Sequence, residues 1–272
     1  MKKRIVLSPY LMWSVFFIIS PLSLIFLFAF TNVDGNFTVS NLKNVFIYSD
    51  VFLASVWLGI ISTAICLFAG YPLAYCVSRT KPRIQKILIT LIAMPMWMNL
   101  LLKTYAWVTI LEDNGLINKL ISFFGIERLT MMNTPGAVIF GMVYSFVTYM
   151  ILPIYSVLIK TDKNIIEAAQ DLGANQREIF FKITLPLSVP GIISGISMVF
   201  IPSVSTFVFS RMLGGGTNLL IADIIDMQFL GSAYNPRLGS AISLVLMALV
   251  FIFMGIINSF DENKAEKTMI AL

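Results

Sequence analysis

The chain contains no histidine, only two cysteines and few charges: 12% of its 272 residues are Asp, Glu, Lys or Arg. A soluble domain carries about 25% of these, so the composition excludes an ordinary water-soluble fold. The missing histidines remove imidazole metal ligands and imidazole proton relays together. Cys66 and Cys76 stand in one apolar run, about 15 Å apart along a helix axis. That separation rules out a disulfide between them, and both read as ordinary buried residues. No GxxxxGK[ST] phosphate loop is present; GGGTN at 214–218 lacks the lysine such a loop aims at the phosphates. The acidic residues lie in polar connections without a paired nucleophile. No enzyme reading survives these absences, and the chain itself is expected to hold no metal, nucleotide or other cofactor.

What the sequence does have is long apolar runs. Hydrophobic residues make up 58% of it, and the mean hydropathy is +0.86. A membrane-spanning helix needs about 20 apolar residues. Six segments reach that scale, near 9–30, 51–77, 85–111, 136–159, 188–209 and 239–259. The expectation is an all-α integral membrane protein, one transmembrane domain over residues 1–272 with six transmembrane helices. The first run follows Lys2, Lys3 and Arg4, but it is too long for a secretory signal. No small-residue cleavage site follows Phe28-Ala29-Phe30, so the run is read as a retained span.

Of nineteen Lys and Arg, thirteen fall in four regions. These are the N-terminus, the connection after the second run (Arg79, Lys81, Arg83, Lys86), the central connection (Lys160, Lys163, Arg177, Lys182) and the C-terminus (Lys264, Lys267). By the positive-inside bias these regions face the cytoplasm, both termini included, and connections 31–50, 112–135 and 210–238 face outward. The net charge of +5 is explained by this bias and gives no argument for a nucleic-acid partner.

Two spans carry proline in their interior. Pro95 falls about 16 Å from the cytosolic end of the third run and is followed by Met96, Trp97, Met98 and Asn99. A proline there frees a carbonyl that, in lipid, must be met by protein or by a water-filled cavity. Pro202, with Ser203, Ser205 and Thr206, marks a second break. Broken helices near the midplane mark transport sites in many carriers; the alternative is a tolerated kink between packed helices. Lys103, Tyr105 and Trp107 read as an interfacial belt with a snorkelling lysine. Tyr144 and Thr148 share a helix face, either as interhelical glue or as the lining of a polar path. Trp97, Asn99, Tyr144, Thr148, Ser203 and Ser205 are therefore the candidate pathway residues within the spans. In the 210–238 connection, Thr217 or Asn218 can cap a short helix expected to dip into the outer leaflet or pack on neighbouring helices. It carries Asp223 and Asp226, which would either guide a cation or form a solvated face.

The central connection, about 160–187, carries a design of its own. Thr161 or Asp162 can cap a short helix, and Gly173 is placed to end it in the left-handed region. Asn175 and Glu178 then form a capping-box pattern opening a second helix, with Ile179, Phe180 and Ile183 on one side. Pro186 and Pro190 are expected to end that helix. Two short helices meeting at a glycine can seat in a groove of another protein; the plain alternative is a loop with helical character and no partner.

The order Glu167-Ala168-Ala169, Gly173, Ile183, Leu185-Pro186 resembles the EAA loop of type I ABC-importer permeases, at all seven positions of the pattern. The stretches LIKTDKNIIEAAQDLGANQREIFFKITLPLSVPGI, MPMWMNLLLKTYAW and GGGTNLLIADIIDMQFL are similar to permeases of spermidine/putrescine importers. The resemblance implies a MetI-like transmembrane fold in a bacterial inner membrane. It implies four kinds of partner: the lipid bilayer, a sister permease, a homodimeric cytosolic ATPase that holds the ATP and magnesium, and an extracytoplasmic polyamine-binding protein. It also implies that Glu167 to Ala169, Asp171, Gly173, Arg177, Ile183, Leu185 and Pro186 couple to that ATPase. Two other readings stay open: the same importer class with an opine, thiamine, iron or anion cargo, and a channel or secondary carrier that needs no ATPase.

Overall fold

The computed structural model describes Pro9 and residues 12–216, 218–231 and 233–270, with side chains left aside at 163, 258 and 260–270. Lys2, Lys3, Arg4 and Thr217 lie outside the described residues, as do the side chains of Lys163, Lys264 and Lys267. Among the described residues there are helices and no β-strand, only an isolated bridge between Thr31 and Phe37.

Helix α1 covers Met12–Ala29, α2 Ser40–Val45, α3 Ser49–Ser78, α4 Pro82–Ala93, α5 Leu100–Leu111 and α6 Leu116–Phe123. Helix α7 is Pro135–Leu158, α8 Lys163–Asp171, α9 Gln176–Ser205, α10 Val208–Met212, α11 Ile221–Leu230 and α12 Pro236–Ile270. Five of these, α1, α3, α7, α9 and α12, are long and apolar enough to cross a membrane, and the bent pair α4 with α5–α6 makes up to a sixth.

One compact unit comprises Ser55–Leu219 and the described residues from Phe253 onward. Its core is α3, α7 and α9. Helices α7 and α9 run antiparallel: Gly191 backs onto Pro153 and Ile154, and Gly195 onto Met150. Small residues let these backbones approach closely, as they do where no water drives helices together. Helix α3 runs parallel to α7, with Ser62 Oγ 3.4 Å from Met142 Sδ and Gly70 against Met150 and Ile151. The Tyr71 hydroxyl shares a 3.0 Å hydrogen bond with Ser188 Oγ and so ties α3 to α9. The other unit comprises the described residues through Ala54 with Leu220–Ile252. There Asn41 Nδ2 donates to the carbonyls of Ala29 (3.2 Å) and Thr31 (3.0 Å), supplying the partners the end of α1 lacks. Ala29 is the one buried residue of α1.

Several expectations change. Pro186 and Pro190 do not end a short helix; α9 continues unbroken from Gln176 to Ser205. The reason is a π-helical segment at Phe180–Thr184, whose wider turn re-registers the ladder just before the two prolines. The span therefore begins well before residue 188. The third span is not a gently kinked rod: the axis turns by 91° between Pro82–Trp97 and Leu100–Phe123. Lys103 does not snorkel, being 6% exposed. Cys76 is exposed, unlike Cys66. The helix α11 of the 210–238 connection is capped at Leu220 rather than at residue 217 or 218 and is packed, with Ile221, Ala222, Asp223, Ile224 and Gln228 buried.

Candidate functional site

The elbow at 160–187 is built by local hydrogen bonds that the sequence pattern supplies. Asp162 caps α8 by accepting from the Asn164 N–H at 3.0 Å. At the other end Gly173 adopts φ +84°, the Gly173 N–H donates to Gln170 O (2.9 Å) and the Ala174 N–H to Ala169 O (3.0 Å). That is the paired closure of a Schellman ending, which needs a left-handed residue. Two residues on, the Glu178 N–H donates to Asn175 Oδ1 (2.9 Å) and the Asn175 N–H to Glu178 Oε2 (3.1 Å). Lys182 Nζ adds a 3.0 Å contact to Glu178 Oε1. Every turn of the elbow is thus closed within itself by Asp162, Asn175, Glu178 and Lys182, and its other side chains take no part in that closure.

Glu167, Ala168, Asp171, Gly173, Arg177 and Pro186 are exposed, while Ala169, Ile183 and Leu185 are half-buried. Leu172 stands 89% exposed at the tip. Glu167 also lines a cavity of about 460 Å³ together with Arg79, Thr80, Gln85, Thr161 and Gln170. Gln85 Nε2 donates to the carbonyls of Ser78 and Thr80, both at 2.9 Å, which closes the end of α3. Behind the elbow, Phe180 packs edge-on against the rings of Tyr71 and Tyr75. The π segment that keeps α9 continuous is therefore pinned to α3.

The candidate pathway residues are not brought together into one site. Trp97 is exposed, and Asn99 caps α5, its Oδ1 accepting from the Leu101 N–H at 2.8 Å. Thr148 Oγ1 donates to Ile92 O at 3.1 Å. Pro95 has no N–H to give to the carbonyls of the preceding turn, and Thr148 meets one of them; it acts here as a link between α7 and the break. Tyr144 lies edge-on to Trp107, 5.0 Å between ring centroids. Ser203 and Ser205 turn back onto their own helix, donating to Val199 O (2.7 Å) and Ile201 O (2.8 Å). The actual interruption after Pro202 comes at Thr206-Phe207, between α9 and α10. Asp223 does not face solution: it is fully buried, and its Oδ2 accepts from the Leu220 N–H at 2.9 Å, holding the start of α11. Asp226 is half-buried.

Two features escaped sequence reasoning. Leu172 precedes the turning glycine, and an apolar residue beside a helix stop is a signal that could have marked it as a contact residue. Arg79 counts in the sequence only as one of the cytoplasm-facing charges, and nothing there singles out Gln85; their meeting with the elbow around one cavity is tertiary and has no local signature.

Residues 67–263 match the model of the family described as "Binding-protein-dependent transport system inner membrane component". The chain is 36% identical to the spermidine/putrescine transport system permease protein PotB of Haemophilus influenzae, over 97% of this chain and 96% of that one. It is 34% identical to PotB of Escherichia coli K12, over 86% and 88% of the two chains. Among solved structures, a bacterial ABC transporter involved in import of the acidic polysaccharide alginate superposes with a TM-score of 0.78 at 17% identity, covering 96% of this chain and 94% of that one; this likeness speaks to fold.

Proposed function

The chain belongs to the family of binding-protein-dependent transport system inner membrane components, and from that premise we propose that it forms half of the translocation pathway of an ATP-driven polyamine importer. The relatives named as spermidine/putrescine permeases cover nearly its whole length, which supports spermidine or putrescine as cargo. Its partners are a sister permease, a homodimeric cytosolic ATPase that holds the ATP and magnesium, and an extracytoplasmic polyamine-binding protein. Both termini and the 160–187 elbow lie on the cytoplasmic side, in keeping with the lysine and arginine bias of the connections.

One observation carries the mechanism: the self-closed elbow feeds without interruption into α9, a single helix over Gln176–Ser205. At 1.5 Å per residue its 30 residues span about 45 Å, enough to cross the bilayer. A push on the elbow is therefore delivered through the membrane along a continuous rod, to the interruption at Thr206-Phe207. The ATPase grips the exposed side of the elbow through Glu167, Asp171, Leu172 and Arg177. ATP binding closes the ATPase dimer and draws the two permeases' elbows together, which favours the outward-open arrangement; the nucleotide shifts the equilibrium only because it binds one arrangement better. No carboxylate stands inside the apolar runs to trap a polyamine, so weak contacts with aromatic faces, hydroxyls and carbonyls suit its passage.

The test is uptake of spermidine, with ATP hydrolysis measured in parallel, by the complete importer in proteoliposomes. Glu167→Ala should abolish uptake and the cargo-stimulated part of hydrolysis while membrane levels stay normal. Full uptake by that variant, or uptake by the unaltered importer without ATP, would overturn the coupling role. Preference of the binding protein for a non-polyamine would overturn the cargo.

A further inference from the structure

Helix α6 wears its amphipathic pattern inside out. Its polar Asn118 is 1% exposed and fully engaged: Nδ2 donates to Glu112 O (3.3 Å) and Leu129 O (3.0 Å), and Oδ1 accepts from the Leu129 N–H (2.9 Å). These bonds clamp the helix onto the two ends of its own loop. The opposite face carries Leu116, Leu120, Phe123 and Phe124, which share one side of the helix at i, i+4, i+7 and i+8. All four are exposed, Phe123 at 85%. A contiguous apolar patch of this kind in water would be a liability.

The position of the helix says what covers it. It begins five residues after Leu111, the last residue of the apolar helix α5, a reach of at most about 18 Å even fully extended, so it stays close to the end of that span. Trp107 of α5 packs on Phe140 and Tyr144, in the first half of α7, and the elbow follows the other end of α7. Lys119 on the helix and Arg128 in the loop after it are both exposed, cations of the kind that reach lipid phosphates when a helix lies at a membrane surface. We propose that α6 lies flat in the membrane–water interface at the end of the bundle opposite the elbow, with Leu116, Leu120, Phe123 and Phe124 inserted among the acyl chains as an amphipathic interfacial helix. The proposal rests on membrane residence and not on the cargo, so vesicles that failed to accumulate spermidine would leave it standing.

The experiment places a nitroxide spin label at Leu120→Cys, Phe123→Cys and, as control, Ser122→Cys, one at a time. The full importer is reconstituted in liposomes after removal of other accessible thiols, Cys76→Ser among them. Collision with oxygen, which concentrates in lipid, is compared with collision with a water-soluble nickel chelate. Labels at 120 and 123 should favour oxygen and report a depth below the phosphates, and the label at 122 should favour nickel. Retained ATP hydrolysis certifies that each labelled complex is assembled. Nickel accessibility at 120 and 123 would show a face in water. Protection from both reagents would show a protein partner on it. Either result overturns the proposal.

Discussion

Gly173 has nothing within 4 Å of the point where a Cβ would stand, yet its φ is +84°. A side chain there meets no neighbour; it meets only the backbone's preference, about 1–2 kcal/mol for an L-residue in the left-handed region. Gly173→Val should therefore cut uptake strongly at normal membrane levels, because the Schellman closure and the angle between α8 and α9 depend on that φ. Gly173→Asn, which tolerates the left-handed region, should keep most uptake. Equal losses for both would point to a direct contact with the glycine. Thr148 is the second residue whose role separates by substitution. Thr148→Val keeps the shape and removes the donor to Ile92 O. It should lower the thermal stability of the purified complex, by about 1 kcal/mol on the scale of hydrogen bonds between membrane helices. Thr148→Ser should restore it. A stable Thr148→Val with altered transport would return the residue to the pathway.

The contact between α7 and α9 is set by glycine, and its sensitivity can be read from geometry. A Cβ on Gly191 would stand 3.0 Å from Ile154 Cα and 3.0 Å from Pro153 O. Backbone cannot rotate away as a side chain can. Gly191→Ala should thus force the helices apart and destabilise by about 1–3 kcal/mol, as overpacking does, visible as a lowered melting temperature in detergent. Gly255→Ala, in α12 with nothing within 4 Å, should be neutral or stabilising, since alanine is the better helix former. The same contrast explains what the sequence could disclose. Asn175 and Glu178 find each other within three residues, so their capping box was visible in the spacing alone, whereas the spacing left Thr161 and Asp162 as equal candidates for the first cap and the bond from the Asn164 N–H assigns it to Asp162. The effect of Pro186 and Pro190 was not, because it depends on whether the preceding turn can re-register, and the π segment at Phe180–Thr184 does so. Asp223 was misjudged for a related reason: two aspartates three apart share a helix face, but which face is buried is decided by packing. At Pro95 the break was legible from the missing N–H, whereas its 91° amplitude comes from the surrounding helices.

At the scale of the whole molecule, the number of crossings hangs on the bent pair α4–α5. Were it a re-entrant loop, the connections 79–86 and 160–187 would fall on opposite sides of the membrane. The geometry argues otherwise. Residues at the end of α3 and the start of α4 line the same cavity as Thr161, Glu167 and Gln170. Helix α3 runs parallel to α7, through the contacts of Ser62 and Gly70. Two parallel spans whose ends meet one cavity require the chain between them to cross back. Early in α4 it does so beside α7: Tyr155 reaches Gln85 at 3.5 Å and Thr148 reaches Ile92 at 3.1 Å, seven residues along each helix, before the path turns aside at the break. The prediction is a labelling pattern. In a Cys76→Ser background, a membrane-impermeant thiol reagent should reach Glu127→Cys from outside intact spheroplasts. It should reach Arg83→Cys and Leu172→Cys only after the membrane is opened. Arg83→Cys and Leu172→Cys labelled from opposite sides would make α4–α5 re-entrant, and the elbow could then no longer sit where an ATPase works.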